Sequence, residues 1–373
     1  LLPQLRPHVR PLLLLGVLTI AAIVEVSLEP SFVLLPPGRH LEAFVANSGD
    51  GTITAVDLVS LNPVRVFNMG GEVTDLQVVP KKTEIWGICR SRNTLWVFHP
   101  PSGQLRELKL GFKPSALNLL PDGRIVLVAG AEGRVEAVDA ATLRVMKETR
   151  IDLKPTDAVL TPDGKQWLVL DGYRGELALL SPVSLNLQVT LELNSGASGT
   201  VVVPDGSKAY MASTTDDSIL SIRLHPPAVL ARVHTGGRQD RLLLKPDGGE
   251  LYAFSSQLHG VTVLNTQTDE VVDFRLLGAA PVAAAISSDG AMLYVCDRSA
   301  SRVTVLDTAY RENRGSAPTG KTPVDCALDP GGHLLLAADR DSNDLAVIDL
   351  RGPRLLTLVP TGMQPARVVA LQF

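Results

Sequence analysis

The stretch "LLPDGRIVLVAGAEGRVEAVDAATLRV", residues 119–145, decides the fold. An apolar run ends at Pro121-Asp122-Gly123, a second run alternates apolar with polar residues, and a third follows a glycine-containing loop. The phrase returns at Pro162-Asp163-Gly164, Pro204-Asp205-Gly206, Pro246-Asp247-Gly248, Ser288-Asp289-Gly290 and Pro330-Gly331-Gly332, in steps of 41 or 42 residues. Self-similarity at that period marks a solenoid or a propeller.

Each unit reads as four short strands, in this case "SALNLL", "RIVLVA", "GRVEAVD" and "LRVMKET". Period-two alternation, β-branched residues and closely spaced turn residues predict an antiparallel meander. Between units one position is held by Gly70, Gly111, Asp152, Asn194, Gly236, Gly278, Gly320 and Gly362, residue types that tolerate positive φ, so a sharp bend is expected there. Three residues on stand Pro114, Pro155, Pro281, Pro323 and Pro365, whose fixed φ sets the entry into the next inner strand. Four-stranded units that cannot bury both faces alone must stack on neighbours, and twisted sheets stacked face to face close into a ring. The expectation is an all-β, eight-bladed β-propeller, with seven blades as the alternative. "PARVVALQF", residues 365–373, is a complete inner-strand pattern in register and is expected to close the ring; "PSFVLLPPG", residues 30–38, is the rival closer.

Composition excludes several classes. With 45% hydrophobic and 20% charged residues the chain is a folded protein, and a net charge of -4 offers no basic field for phosphate backbones, so no nucleic-acid partner is expected. Cys89, Cys296 and Cys326 have no paired spacing; Cys89 and Cys296 fall in a second-strand slot that usually takes alanine, where cysteine is a small buried hydrophobe. The seven histidines show no metal-ligand spacing, and Trp86, Trp96 and Trp167 sit in core-like strand positions. No metal and no cofactor is expected.

The N-terminus differs in kind. Arg6 and Arg10 precede the apolar run Leu12 to Val24, thirteen residues long, with Glu25 and Glu29 beyond it. Residues 1–30 are expected to form a non-cleaved signal anchor, one N-terminal transmembrane helix, and residues 31–373 the propeller. The basic flank then places the N-terminus in the cytoplasm and the propeller on the periplasmic, extracytoplasmic side of the membrane.

Tyr294-Val295, followed by Val303-Thr304-Val305-Leu306-Asp307, with Val347-Ile348-Asp349 close behind, resembles the YVTN-type β-propeller repeat family of exported bacterial and archaeal surface-layer proteins. The resemblance spans about residues 31–373; His99, Ser181 and Arg223 depart from it, standing where the family has aspartate. It implies a propeller and leaves function open, since such propellers serve as scaffolds, binding modules and enzymes.

The third-strand acids Asp57, Asp139, Asp307 and Asp349, like the Pro-Asp-Gly aspartates, read as turn formers. Loops joining strands two and three share a face with the loops joining blades. Near the channel mouth on that face, one slot reads Asp75, Ala116, Asp157, Gly199, Arg241, Ala283, Asp325 and Arg367, a ring able to hold an ion or a small ligand. The same face carries Arg90 and Arg92 of "RSRN", Tyr173-Arg174, Asp297-Arg298, Arg302, "RQDR" (238–241) and "DRDSND" (339–344), the side-chain types of a polar protein interface. No catalytic constellation is evident. The sequence therefore favours a membrane-anchored, non-catalytic scaffold, an accessory subunit of a larger membrane complex of respiratory or photosynthetic kind, with other protein subunits as partners. The alternative is a periplasmic propeller enzyme or a small-ligand or tetrapyrrole carrier that uses the channel mouth.

Overall fold

The computed structural model describes residues 39–278 and 280–373. They form eight four-stranded antiparallel sheets, the blades of a closed ring. Blade 2 is representative: an inner strand Val73–Val79, a second strand Glu84–Cys89, a third strand Thr94–His99 and an outer strand Gln104–Lys109. Its middle strands are buried on both faces, and the outer strand has an exposed-intermediate alternation that meets water. Burial between blades drives ring assembly: Trp86, Ile88, Leu95 and Val97 of blade 2 pack on Leu117, Val126 and Val128 of blade 3. The three tryptophans are fully buried, and Trp167 is satisfied by an Nε1–H bond to Asn118 Oδ1 at 2.8 Å.

Blade 1 is built from both ends of the propeller sequence. Leu41–Asn47, Thr52–Asp57 and Asn62–Asn68 pair in order, and the inner position is filled by Pro365–Gln372 from the C-terminus. The rival closing segment, residues 30–38, lies outside the described residues.

Four of the five prolines open their inner strands, Pro114, Pro281, Pro323 and Pro365, whereas Pro155 stands two residues before the strand Asp157–Leu160. The bend position works in two ways. Gly70, Asn194, Gly236 and Gly278 have the expected positive φ. Gly320 instead is needed for space, because a Cβ there would lie 2.3 Å from Asp344 Oδ1 and 2.4 Å from Ser342 Oγ. The turn aspartates behave as expected: Asp57 Oδ1 accepts the Val59 and Ser60 N–H groups, and Asp307 Oδ1 those of Ala309 and Tyr310. All three cysteines are buried and free. Cys296 holds the alanine slot, but in blade 2 the residue opposite the inner strand's ring position is Ile88, and Cys89 stands one residue further on.

Two expectations are corrected. No helix among the described residues is long and apolar enough to cross a membrane, so the described residues form the all-β propeller alone and the expected transmembrane helix is not supported. The expectation rested on residues 1–30, which lie outside the described residues, and on an apolar run of thirteen residues where a bilayer span takes about 20. The localisation drawn from it, a membrane-anchored propeller with a cytoplasmic N-terminus, is likewise not supported.

Candidate functional site

Register brings the ring slot together. Asp75, Ala116, Asp157, Arg241, Ala283, Asp325 and Arg367 pair respectively with Ile88, Ala129, Leu170, Phe254, Cys296, Ala338 and Ala46, equivalent positions of the second strands. Seven inner strands thus present this residue at one level of the central channel. In the eighth, Gly199 lies within an irregularity between Ser198 and Val201.

The three ring acids share a task that periodicity alone does not show. Asp157 Oδ2 accepts the Thr200 N–H at 3.1 Å, and Asp325 Oδ2 accepts the Val368 N–H at 3.1 Å. Asp75 takes the equivalent N–H, that of Leu117. Each carboxylate reaches from its own inner strand to the next blade, so each staples two sheets beside the axis. Asp325 also sits between two guanidinium groups: Arg367 Nη1 lies 3.5 Å and Arg241 Nη1 3.8 Å from the same Oδ1. Arg241 belongs to blade 6 and Asp325 to blade 8, and the small Ala283 of blade 7 leaves room for that reach.

Burial dominates the electrostatics. It pushes the Asp75 carboxyl up to about 6, against the pull of Arg367 and of the Leu117 and Leu76 N–H groups, while Asp157 adds a smaller upward push. Burial raises Asp325 as well, opposed by Arg367, Arg241 and the Val368 N–H.

The loop-face arginines divide into two groups. Arg92 Nη1 donates to Met69 O at 2.6 Å, Arg174 Nη1 to Asp152 O at 2.9 Å and Arg302 Nη2 to Leu277 O at 3.4 Å. Each acceptor is at or just before an inter-blade bend, so these arginines pin the bends. Arg134 does the same at Gly111 O, and Arg232 at Leu193 O; neither stood out in the sequence, though Arg134 and Arg92 both lie 23 residues beyond their acceptors. Arg90 and Arg298, by contrast, are exposed and make no side-chain bond among the described residues. Tyr173, beside Arg174, is 88% exposed. A hollow of about 530 Å³ between blades 3 and 4 is lined by the buried Leu153 and by Glu132, Arg150, Asp152, Lys154 and Arg174. Glu132 and Asp152 balance two of these charges at 3.9 Å.

One pair within "DRDSND" emerges only from the fold. Asp339 is fully buried against Asp344, and burial together with that neighbour pushes its carboxyl up to about 8, so it carries the proton at neutral pH. In blade 1 the equivalent contact is Asn47 Nδ2 donating to Thr52 Oγ1 at 3.0 Å, a neutral version of the same link. Among the described residues no group of three or more His, Cys, Asp or Glu side chains is placed to hold a metal ion.

Fold and ring define this chain as an eight-bladed β-propeller with a charged channel mouth. A family model described as "Lactonase, 7-bladed beta-propeller" matches residues 255–364, under a third of the chain and not including Arg241 or Arg367. That similarity is at the level of the propeller and is not to the narrower YVTN-type family. No curated protein matches the chain. Similar solved structures include dihydro-heme d1 dehydrogenase NirN in complex with DHE, with 14% identity over 88% of this chain and 74% of that one and a TM-score of 0.77. AztD from Citrobacter koseri in its apo form is 13% identical over 90% of this chain and 98% of that one, TM-score 0.69. Kuenenia stuttgartiensis hydrazine synthase is 19% identical over 74% of this chain and 95% of that one, TM-score 0.59. At these identities the likeness is one of fold.

Proposed function

We infer that the chain is a non-catalytic binding propeller whose loop face docks another protein, as a subunit of a larger assembly. The observation that carries this reading is the corner at Tyr173 and Arg174: an exposed tyrosine next in sequence to an arginine that lines a hollow with Leu153 and Lys154, on a face whose bends are pinned by arginines. Tyrosine and arginine dominate interface energetics, and a face already rigid loses little entropy on docking. Lys154, the basic lining residue without an ion pair among the described residues, favours a partner segment with an acidic side chain. Recovery of the affinity-tagged full chain under gentle conditions, followed by native mass spectrometry, tests the reading. A stoichiometric subunit that is retained by the unaltered chain and lost from Tyr173→Ala and Lys154→Glu supports it. A chain recovered alone, or a subunit indifferent to both variants, defeats it.

A second reading, a small-ligand or tetrapyrrole carrier, is favoured by the channel mouth and by the fold likeness to a protein named for a haem d1 substrate. An absorbance band that copurifies with the chain and weakens in Arg241→Ala would support it.

A further inference from the structure

We propose that Arg241 and Arg367 form a seat for a small oxyanion, a carboxylate or phosphate group, at the channel mouth. The inference stands apart from whether the loop face docks a protein, because it rests on unused donors inside the ring. Both guanidinium groups approach one oxygen, Asp325 Oδ1, at 3.8 and 3.5 Å, distances of charge attraction and not of hydrogen bonding. Neither group makes a hydrogen bond to any described residue. Arginine carries five N–H donors in a planar fork, so two such forks with none engaged is a costly arrangement unless water or an anion fills it.

Charge favours the anion. Both guanidinium groups face Asp325, whose other oxygen is committed to the Val368 N–H. Arg367 is also drawn to Asp75 of the neighbouring blade 2, so the charge not already shared lies toward Arg241, whose ion pair is with Asp325.

Geometry permits it as well. Two nitrogens converging on one Oδ1 atom lie close enough for an oxyanion to accept from both, each contact needing about 2.8 Å. The two side chains are 34% and 43% exposed, so the seat opens to solvent. On the other side of Arg241 stands Gly199, where a Cβ would meet no atom within 4 Å, and the remainder of a ligand has room there. Ala283 likewise adds no bulk between blades 6 and 8.

The test is calorimetric titration of the full chain with inorganic phosphate and with citrate at constant ionic strength, using the unaltered protein and the variants Arg241→Gln, Arg367→Gln and Arg298→Gln. Saturable binding of either probe that weakens about tenfold or more in Arg241→Gln and is unchanged in Arg298→Gln is the expected result. Preference for phosphate or for citrate then names the source of the oxyanion. Arg367 lies on the ring-closing strand, so thermal unfolding of its variant is followed in parallel, and Arg241→Gln carries the decision if that strand loosens. Equal binding by all four proteins, or no binding of either probe by the unaltered chain, overturns the proposal.

Discussion

The carboxylate of Asp325 accepts the backbone N–H of Val368 at 3.1 Å, 43 residues further along the chain, and so fastens the C-terminal strand to the last blade. A ring closed by a strand distant in sequence depends on such links, because that strand pairs with Leu41–Asn47 without a short loop to tie it there. Asp325→Ala would orphan that N–H and leave two guanidinium groups without their counter-charge. It is expected to cost about 3 kcal/mol, and Asp325→Asn, which keeps an acceptor, about 1 kcal/mol. Chemical denaturation of the two variants checks the order; an alanine variant as stable as the parent would remove Asp325 from ring closure.

The Asp339 carboxyl, ordinarily near 3.8, is pushed up to about 8, and Asp75 to about 6. Both bind their protons more tightly in the folded chain than in the unfolded one, so the stability they contribute is complete below about pH 4 and is lost as pH rises through about 6 and then about 8. Melting temperatures are expected to fall from pH 5 to pH 9. Asp339→Asn, which installs the amide that blade 1 already has at Asn47, should flatten the upper part of that slope. An unchanged slope in this variant would assign the pH dependence elsewhere.

Tyr210 of blade 5 donates to Asp269 Oδ1 at 2.6 Å in blade 6, where Lys208 Nζ and Ser221 Oγ each reach Oδ2 at 3.0 Å. This is a partly buried network between blades, so Tyr210→Phe removes one member and leaves the carboxylate short of a donor. A loss of about 1–2 kcal/mol is expected, read from the midpoint of urea unfolding.

Gly320 and Gly352 differ in what surrounds them. A Cβ at Gly320 would enter the contact distance of Asp344 Oδ1 and Ser342 Oγ, whereas one at Gly352 would meet nothing within 4 Å. Gly320→Ala should destabilise by about 1–3 kcal/mol, and Gly352→Ala by less than about 0.5 kcal/mol. Side-by-side thermal scans decide the point, and equal losses would mean that the bend, not the close approach, sets the cost.

What the sequence determined by itself was the repeat and everything that follows from counting along it. The 41- and 42-residue period, the turn aspartates and the strand-opening prolines specify blades, and the spacing from each bend fixes which residue enters the ring slot, because a strand's side chains alternate strictly. Register by counting fails only where the chain deviates, as at Cys89, displaced by one residue in blade 2. Pairing between blades was decided by the tertiary structure alone. That Asp157 reaches the Thr200 N–H, that Arg174 spends its guanidinium on the Asp152 carbonyl while Arg298 does not, and that Arg241 crosses blade 7 to Asp325 all depend on distances between sheets. A one-dimensional pattern names the residue types at each position, but a hydrogen bond or an ion pair requires atoms within a few ångströms, and only the packing of one twisted sheet on the next brings them there.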